Sequence, residues 1–211
     1  MPKLIWVIKA DTLFNFTGGK WQGLRADPDE KLLDLLRREG EFVPRTYELE
    51  HDARYRQIVT RVTVRYKKRV SFHEVGRDEN GEENRLEGLW VAGAQGHAEI
   101  VDVKPGEDIA VVAAEREFRE EYFYEGEILE RHYLGVLCVE MPEGSAGDDI
   151  HDVHIGLMYE FRGDSDQITS LEPTIQNLHF ADISEIEAVH AAGKLEPWTK
   201  FMLDEIRRRV A

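Results

Sequence analysis

The pattern of hydrophobic and polar positions changes several times along this chain of 211 residues, and each change predicts an element. Residues 58–66 and 69–75 alternate β-branched or aromatic side chains with polar ones, which is typical of half-buried strands. Strand-like patterns recur at three later segments, 89–100, 132–140 and 153–161. Polar stretches separate these segments and predict loops, at 76–88, which contains Asn80-Gly81, and at 141–152.

A helical period replaces the strand pattern in residues 108–122, where apolar side chains recur at spacings of three and four. The predicted buried stripe consists of Val111, Ala114, Phe118 and Tyr122. Residues 183–210 predict two further helices, divided near residues 193–197. The order of strands, helix, strands and helices predicts the α+β class or a mixed αβα sandwich.

The first fifty residues look like a layer added in front of this pattern. Residues 4–7 predict a short strand, and residues 29–40 predict an amphipathic helix with four leucines that stops at Gly40. We therefore expect an N-terminal extension over residues 1–50 and a main domain over residues 51–211. The apolar residues of the extension are compatible with a homodimer contact or with a lid.

Composition and charge narrow the function classes. Lysine and arginine number 27 against 42 aspartates and glutamates, so the formal charge of −15 repels a nucleic-acid backbone. A phosphorylated small molecule can still bind if a divalent cation is interposed. The sequence contains no apolar run of about 18 residues, so we expect no membrane span. Cys138 is the only cysteine, which excludes an intramolecular disulfide and, with no secretory pattern at the start, favours a cytoplasmic protein.

The segment 116–121, Arg-Glu-Phe-Arg-Glu-Glu, is the most informative for chemistry. On a helix, Glu117 lies three residues before Glu120 and four before Glu121, so the three carboxylates project from one side. Such like charges repel one another unless a hard divalent cation lies among their oxygens. Mg²⁺ fits because it prefers carboxylate oxygen and takes further ligands from water and substrate phosphates. Arg116, four residues before Glu120, could steer that carboxylate.

At these residues the sequence resembles the Nudix hydrolase family, whose box reads G-x5-E-x7-R-E-U-x-E-E-x-G-U, with U a bulky apolar residue. Residues 116–121 match R-E-U-x-E-E at every specified position. Upstream, Gly96-His97 and Pro105-Gly106-Glu107 look like the two ends of the glycine loop of that box. The resemblance covers roughly residues 57–211, and the terminal helix is similar to that of a subgroup described as predicted phosphoesterases. It implies an α+β fold, a Nudix-like αβα sandwich with a mixed β-sheet.

The chain departs from the family pattern at three places. Ten residues separate Gly96 from Glu107 where the box has five, so the loop contains an insertion. Either Glu107 or Asp108 fills the acidic position before the helix, since Asp108 keeps the spacing and Glu107 keeps the Pro-Gly-Glu context. Phe123 replaces the last glycine, which changes how the helix ends and leaves Gly126 as a later stop.

The resemblance implies a role for each matching residue. Glu117, Glu120 and Glu121 would bind Mg²⁺, for which Mn²⁺ could substitute, and Glu117 or Glu107 would assist deprotonation of the attacking water. Arg116 would orient the carboxylates, while Gly96 and Gly106 would let the loop approach the substrate. Water would then attack a diphosphate linkage in a nucleoside diphosphate derivative or a related phosphorylated molecule. Glu160, in a later strand, is a further candidate ligand of lower rank.

Several residues with possible chemical roles also have a structural explanation. Cys138 is expected to be a buried thiol, His151 and His154 to be ordinary loop or strand histidines, and Trp90 and Trp198 to pack in the core. The basic residues 65–69 fit a solvated turn better than a phosphate site. A catalytically silent nucleotide-binding or regulatory domain of the same fold is the alternative to a hydrolase. A prenyl diphosphate isomerase ranks last, because that chemistry needs a catalytic cysteine and a second acid.

Overall fold

The computed structural model describes residues 2–77, 86–140 and 152–211, and within these ranges it contains twelve strands and five α-helices. The strands are β1 (Leu4–Lys9), β2 (Gly23–Arg25), β3 (Glu41–Pro44), β4 (Tyr55–Tyr66), β5 (Arg69–Val75), β6 (Trp90–Val91), β7 (Ala94–His97), β8 (Tyr122–Tyr124), β9 (Ile128–Cys138), β10 (His154–Gly163), β11 (Ile168–Ser170) and β12 (Ile175–Ala181). The helices are α1 (Ala10–Thr17), α2 (Lys31–Glu39), α3 (Ile109–Glu121), α4 (Ile183–Ala191) and α5 (Pro197–Val210). In these ranges no helix has both the length and the apolar character that crossing a membrane requires.

The chain divides into two compact units, each assembled from separate stretches of sequence. Unit 1 contains residues 1–61, 95–116 and 133–158, and unit 2 contains residues 62–94, 117–132 and 159–211. Residues 1–50 fall in the same unit as the predicted loop at residues 96–108. The predicted division at residue 50 stays a prediction.

Unit 1 is organised around β1, which pairs antiparallel with β3 on one side and with the start of β4 on the other. Ile5, Val7 and Ile8 of this strand are fully buried. Ile5 and Val7 form a core cluster with Leu49, against which the half-buried Val43 packs. The predicted strand at residues 4–7 is therefore present and is a central element of the unit's core.

Helix α2 matches the predicted helix at residues 29–40 and buries the four leucines of its apolar face. Its first turn is anchored from outside, because Asp27 Oδ2 accepts hydrogen bonds of 3.0 Å from the backbone N–H groups of Leu32 and Leu33. These bonds satisfy two of the donors that a helix start leaves unpaired. Helix α1, by contrast, was not predicted from the sequence.

Unit 2 contains the hairpin of β4 and β5, which pair antiparallel through Arg65 and Val70. Lys67 and Lys68 form the two-residue turn, with Lys67 in the left-handed region at φ 53°. This confirms the turn predicted for the basic residues. On the other side β5 pairs antiparallel with β12, while β8 and β11 form a separate two-stranded ribbon.

Strand pairing is mixed. Strands β4 and β10 are neighbours in the sheet. Near their starts Gln57 N donates to Val153 O (2.7 Å), and near their ends Arg65 contacts Glu160, so the two strands run parallel. The pairs of β4 with β1 and β5 are antiparallel. A parallel pair beside antiparallel ones is the mixed β-sheet that the sequence predicted.

Three details differ from the sequence prediction. The segment 89–100 forms two short strands, because Gly93 between them has φ 107° and a Cβ there would lie 2.5 Å from Val62 O. Helix α3 ends at Glu121 and passes directly into β8, so Gly126 is not its stop. Of the predicted stripe, Ala114, Phe118 and Tyr122 are buried, but Val111 is only partly buried, and Ala110 and Ala113 are fully buried in addition. The predicted loops at Asn80-Gly81 and at residues 141–151 lie outside the described residues.

Candidate active site

The three predicted carboxylates lie at the C-terminal end of α3, in unit 2. Glu117 is buried with 8% of its surface exposed, Glu121 is half-buried, and Glu120 is exposed. Because α3 continues to Glu121, the i, i+3 and i, i+4 spacings place these residues on one side of the helix. The helix therefore has an acidic edge whose first carboxylate is buried, whose second is exposed and whose third is half-buried.

The donor chemistry of this edge suits a hard cation. Carboxylate oxygens are what Mg²⁺ prefers, and a site that is partly open to water suits an ion that keeps several waters. Across residues 2–77, 86–140 and 152–211, no three His, Cys, Asp or Glu side chains are already gathered closely enough to form a complete metal site. The three residues thus fit Mg²⁺ by type and helix position, and binding would have to draw the oxygens together.

The inserted loop before α3 has a defined structure in unit 1. Residues Ile100–Asp102 form a 3-10 turn, in which Glu99 N donates to Asp102 Oδ2 (2.8 Å) and the Glu99 side chain accepts from the turn in return. This reciprocal capping closes the turn at both ends. The residues that lengthen the loop relative to the family pattern therefore form a compact turn with an acidic residue at its end.

Asp102 is a buried carboxylate partner of Arg116. Arg116 Nε lies 2.8 Å from Asp102 Oδ1 and Nη2 lies 2.9 Å from Oδ2, a bidentate pair in which Asp102 is 1% exposed. Arg116 Nη2 also donates to His97 O (2.8 Å). Sequence reasoning missed Asp102, although a largely buried arginine needs a carboxylate partner and Asp102 is one of the two acidic residues between Gly96 and Glu107. The predicted effect of Arg116 on the glutamates stays a prediction.

The two candidates for the acidic position before the helix have different surroundings. Asp108 Oδ1 accepts a hydrogen bond from Ala110 N (2.8 Å), and Oδ2 pairs with Arg37. Asp108 therefore works as a helix cap and an ion-pair partner. Glu107 is exposed, and its carboxylate has no hydrogen bond or ion pair with the part of the chain that the structure describes. Of the two, Glu107 is available to a ligand.

Gly106 and Gly96 occupy the two ends of the loop. Gly106 has φ 78°, a conformation that side chains with a Cβ rarely adopt, and open space lies where its Cβ would be. Its backbone is therefore exposed to anything that enters next to Glu107. Gly96 lies inside β7, one residue before His97. Their approach to the substrate stays a prediction.

His97 is part of a polar cluster in unit 1. Its Nε2 lies 2.8 Å from Gln57 Oε1 and 3.1 Å from His154 Nε2. Burial, together with His154, Arg45 and other nearby cations, lowers the pKa of His97 well below its ordinary value. The imidazole is thus neutral at pH 7 and donates or accepts within the cluster. His154 is buried, as predicted for a strand histidine, and His151 lies outside the described residues.

Glu160 has a structural environment rather than an open one. It is 2% exposed, and its carboxylate lies 3.0 Å from Arg65 Nε and 3.5 Å from Arg209 Nη1, all within unit 2. Two guanidinium groups compensate the buried charge. This supports the low rank that the sequence gave Glu160 as a metal ligand.

The remaining candidates agree with their structural interpretations. Cys138 is 2% exposed, and burial raises the pKa of its thiol to about 11, so it is a poor nucleophile. Trp198 is buried at 4% exposure. Trp90 is half-buried and packs on Phe72 with ring centroids 5.0 Å apart. None of these residues has the environment of a reactive group.

Two of the solved structures to which this chain is similar are described here by their likeness in fold. The first is Tm1382, provisionally described as a Nudix hydrolase, with 22% identity, a TM-score of 0.76, and coverage of 97% of this chain and 98% of that one. The second is DR0079 from Deinococcus radiodurans, with 17% identity, a TM-score of 0.50, and coverage of 89% and 97%. No family model and no curated protein matches the chain.

The likeness to Tm1382 extends over nearly the whole of both chains and establishes the fold. It confirms the predicted α+β, Nudix-like class with a mixed sheet. Identities of 22% and 17% do not by themselves carry over an activity.

Proposed function

We propose that this chain, which has the Nudix fold, is a Nudix hydrolase that uses Mg²⁺ or Mn²⁺ to cleave a diphosphate linkage with water. The substrate would be a nucleoside diphosphate derivative or a related phosphorylated small molecule. One observation carries the proposal: the complete Arg-Glu-Phe-Arg-Glu-Glu pattern occurs on α3, with its three carboxylates on one side of that helix. We would not expect a helix that is charged for another reason to match every specified position of that pattern.

Glu117, Glu120 and Glu121 would hold the cation. When bound, Mg²⁺ would supply positive charge to the substrate phosphates and compensate the charge that develops during phosphoryl transfer. Glu117 is the most withdrawn from water of the three, so it would fix one side of the site, while the exposed Glu120 leaves room for water and substrate. Such an arrangement agrees with the preference of Mg²⁺ for few protein ligands.

Activation of the attacking water would be the task of Glu117 or Glu107. Both are carboxylates, and a general base needs only to come within hydrogen-bond reach of the water in the substrate complex. Arg116, held by Asp102, would contribute orientation rather than a proton, because a guanidinium is not deprotonated in proteins. Gly96 and Gly106 would allow close approach of the loop backbone.

The test is a screen of diphosphate compounds with Mg²⁺ present and phosphate release detected by a coupled reaction. Glu121→Gln should reduce turnover of any hydrolysed compound by at least about 100-fold, whereas Glu115→Gln, on the opposite side of the same helix, should keep it near the native rate. Turnover that persists fully in EDTA would defeat the proposal. Binding of nucleotides without any turnover would favour the alternative, a silent nucleotide-binding domain.

A further inference from the structure

Arg56 in unit 1 is a buried arginine that the proposed hydrolysis does not use. It is the second residue of β4, and it is only 3% exposed. The next residue, Gln57, points to the other face of the strand, where its Oε1 lies 2.8 Å from His97 Nε2. Arg56 therefore lies on the face of β4 that is turned away from the histidine cluster.

The protein already fixes one side of the Arg56 guanidinium. Nη1 donates hydrogen bonds of 2.9 Å to Ala53 O and to Tyr55 O, which use both of its N–H groups. The Arg56 Cζ lies 5.0 Å from the centroid of the Phe14 ring in α1, a distance at which the ring attracts the cation. The guanidinium is thus oriented before any ligand arrives, which lowers the entropic cost of binding one.

The opposite side, the Nε–Nη2 edge, has no acceptor. This edge of an arginine presents two parallel N–H groups that bind both oxygens of a carboxylate. The same edge pairs with Asp102 in Arg116 and with Asp52 in Arg54. In Arg56 neither nitrogen has a hydrogen-bond partner among the residues that the structure describes, and neither is completely enclosed. An acceptor from solvent can therefore reach the edge.

The charge of Arg56 also lacks a contacting acid in the described part of the chain. Burial has the largest effect on its pKa and lowers it, while Glu140 and Asp152 are near enough to raise the pKa without offsetting burial. Glu140 in turn forms an ion pair with Lys20. A buried cation without a paired anion is unfavourable, so an anion on the Nε–Nη2 edge would stabilise this part of unit 1.

A second donor without a partner adjoins the same aromatic ring. Trp21 packs against Phe14 edge-on, with ring centroids 6.3 Å apart. The indole Nε1 of Trp21 is buried, and no described residue accepts its hydrogen bond. Buried donors are normally paired, and Phe14 here contacts two side chains with unused N–H groups. Both observations point to an acceptor that the described residues do not supply.

We propose that Arg56 anchors a second ligand site, which binds the carboxylate group of a small molecule through the Arg56 Nε–H and Nη2–H. A carboxylate matches this edge as Asp102 matches the same edge of Arg116. A doubly charged phosphate fits less well, because Glu140 and Asp152 already place negative charge nearby. The proposal goes beyond the hydrolase function and does not depend on it.

The test is an NMR titration of the whole protein with sodium acetate, in EDTA and against sodium chloride at equal ionic strength. Without metal, acetate cannot bind to an ion at the carboxylates of α3. We expect the Arg56 Nε–H resonance to move downfield along a saturable curve, with a dissociation constant on the order of 10 mM. The Nε–H resonances of Arg116 and Arg54 should not move, because carboxylates already occupy their edges. Inorganic phosphate should bind more weakly than acetate.

Thermal unfolding of two matched variants locates the site. Acetate at about ten times its dissociation constant should raise the Tm of the native protein by about 3–6 °C relative to chloride. Arg56→Lys keeps the charge but has no Nε–Nη2 edge, so it should lose most of this rise. Arg54→Lys, two residues away, should keep the rise. If Arg56→Lys does not fold, the NMR titration of the native protein decides alone.

Three results would overturn the proposal. The first is an Arg56 Nε–H resonance that stays in place in about 100 mM acetate, ten times the expected dissociation constant. The second is an equal rise in Tm with acetate in the native protein and Arg56→Lys. The third is tighter binding of phosphate than of acetate, which would contradict the assignment of a carboxylate. None of these measurements involves turnover, so failure of this proposal and failure of the hydrolase proposal are separate results.

Discussion

The pair of Arg116 and Asp102 gives the sharpest stability prediction. Replacing Arg116 by Met keeps most of the apolar stem and removes both hydrogen bonds to a carboxylate that is 1% exposed. Breaking a buried ion pair from one side costs about 3–5 kcal/mol, because the other charge is left without compensation. The Arg116 side chain is 18% exposed, so we expect the lower end, about 3 kcal/mol. Arg116→Lys keeps the charge but cannot form the bidentate pair of hydrogen bonds. We expect it to lower the free energy of unfolding by about 1–2 kcal/mol.

Thermal unfolding of the purified variants measures this effect. In a domain of this size, about 3 kcal/mol corresponds to a fall in Tm of about 6–12 °C. Arg54→Met is the control, because Arg54 pairs with Asp52 while 85% of its side chain is exposed. Its replacement should leave the Tm equal to that of the native protein within the error of the measurement. The double variant that combines Arg116→Met with Asp102→Asn should lose less stability than the sum of the losses in the two single variants. An Arg116→Met protein that melts like the Arg54→Met control would refute the reasoning.

Three further predictions follow from individual residues. The pKa of His97 is lowered by burial, so the stability that its neutral form provides is present above the unfolded pKa of about 6.5 and is lost as pH falls below it; urea titrations should show a flatter pH dependence for His97→Gln. Because the pKa of Cys138 is raised from 9.0 to about 11, alkylation by iodoacetamide at pH 8 should be about 100-fold slower in native than in unfolded protein, and equal rates would contradict its burial. Gly93→Ala should destabilise by at least about 2 kcal/mol more than Gly88→Ala, since both glycines have positive φ but only Gly93 faces a backbone oxygen, at Val62.

The regular elements were predictable from the sequence because their periods are set by the local chain. Strands β4, β5, β9 and β10 and helices α2 and α3 lie where the alternation or the helical spacing placed them. The break between β6 and β7 was not predictable, because it depends on the close approach of Gly93 to Val62, which lies far away in sequence. Helix α1 was missed for a related reason: only Ala10 and Leu13 of its eight residues are buried, so its apolar pattern is weak.

The candidate site likewise contains residues that the sequence predicted and residues that it did not. The acidic edge of α3 follows from residue spacing on one helix, so sequence alone placed Glu117, Glu120 and Glu121 on one side of that helix. Asp102 was missed, because its pairing with Arg116 depends on how a 3-10 turn folds within the inserted loop. The structure also separates Glu107 from Asp108, a choice that spacing and motif context left open, since only contacts reveal that Asp108 is already engaged by Ala110 and Arg37.

The measurement that tests the central claim most directly is the shift in Tm that Mg²⁺ produces, recorded against EDTA for the native protein, Glu121→Gln and Glu115→Gln. At about 100 times its dissociation constant, a bound ion adds about 2.7 kcal/mol, which corresponds to a rise in Tm of about 5–11 °C. We predict that Glu121→Gln loses most of this shift yet is no less stable than native protein in EDTA, because one repelling carboxylate on the helix is gone. Glu115→Gln should keep the shift. An equal Mg²⁺ shift in native protein and Glu121→Gln would contradict the account.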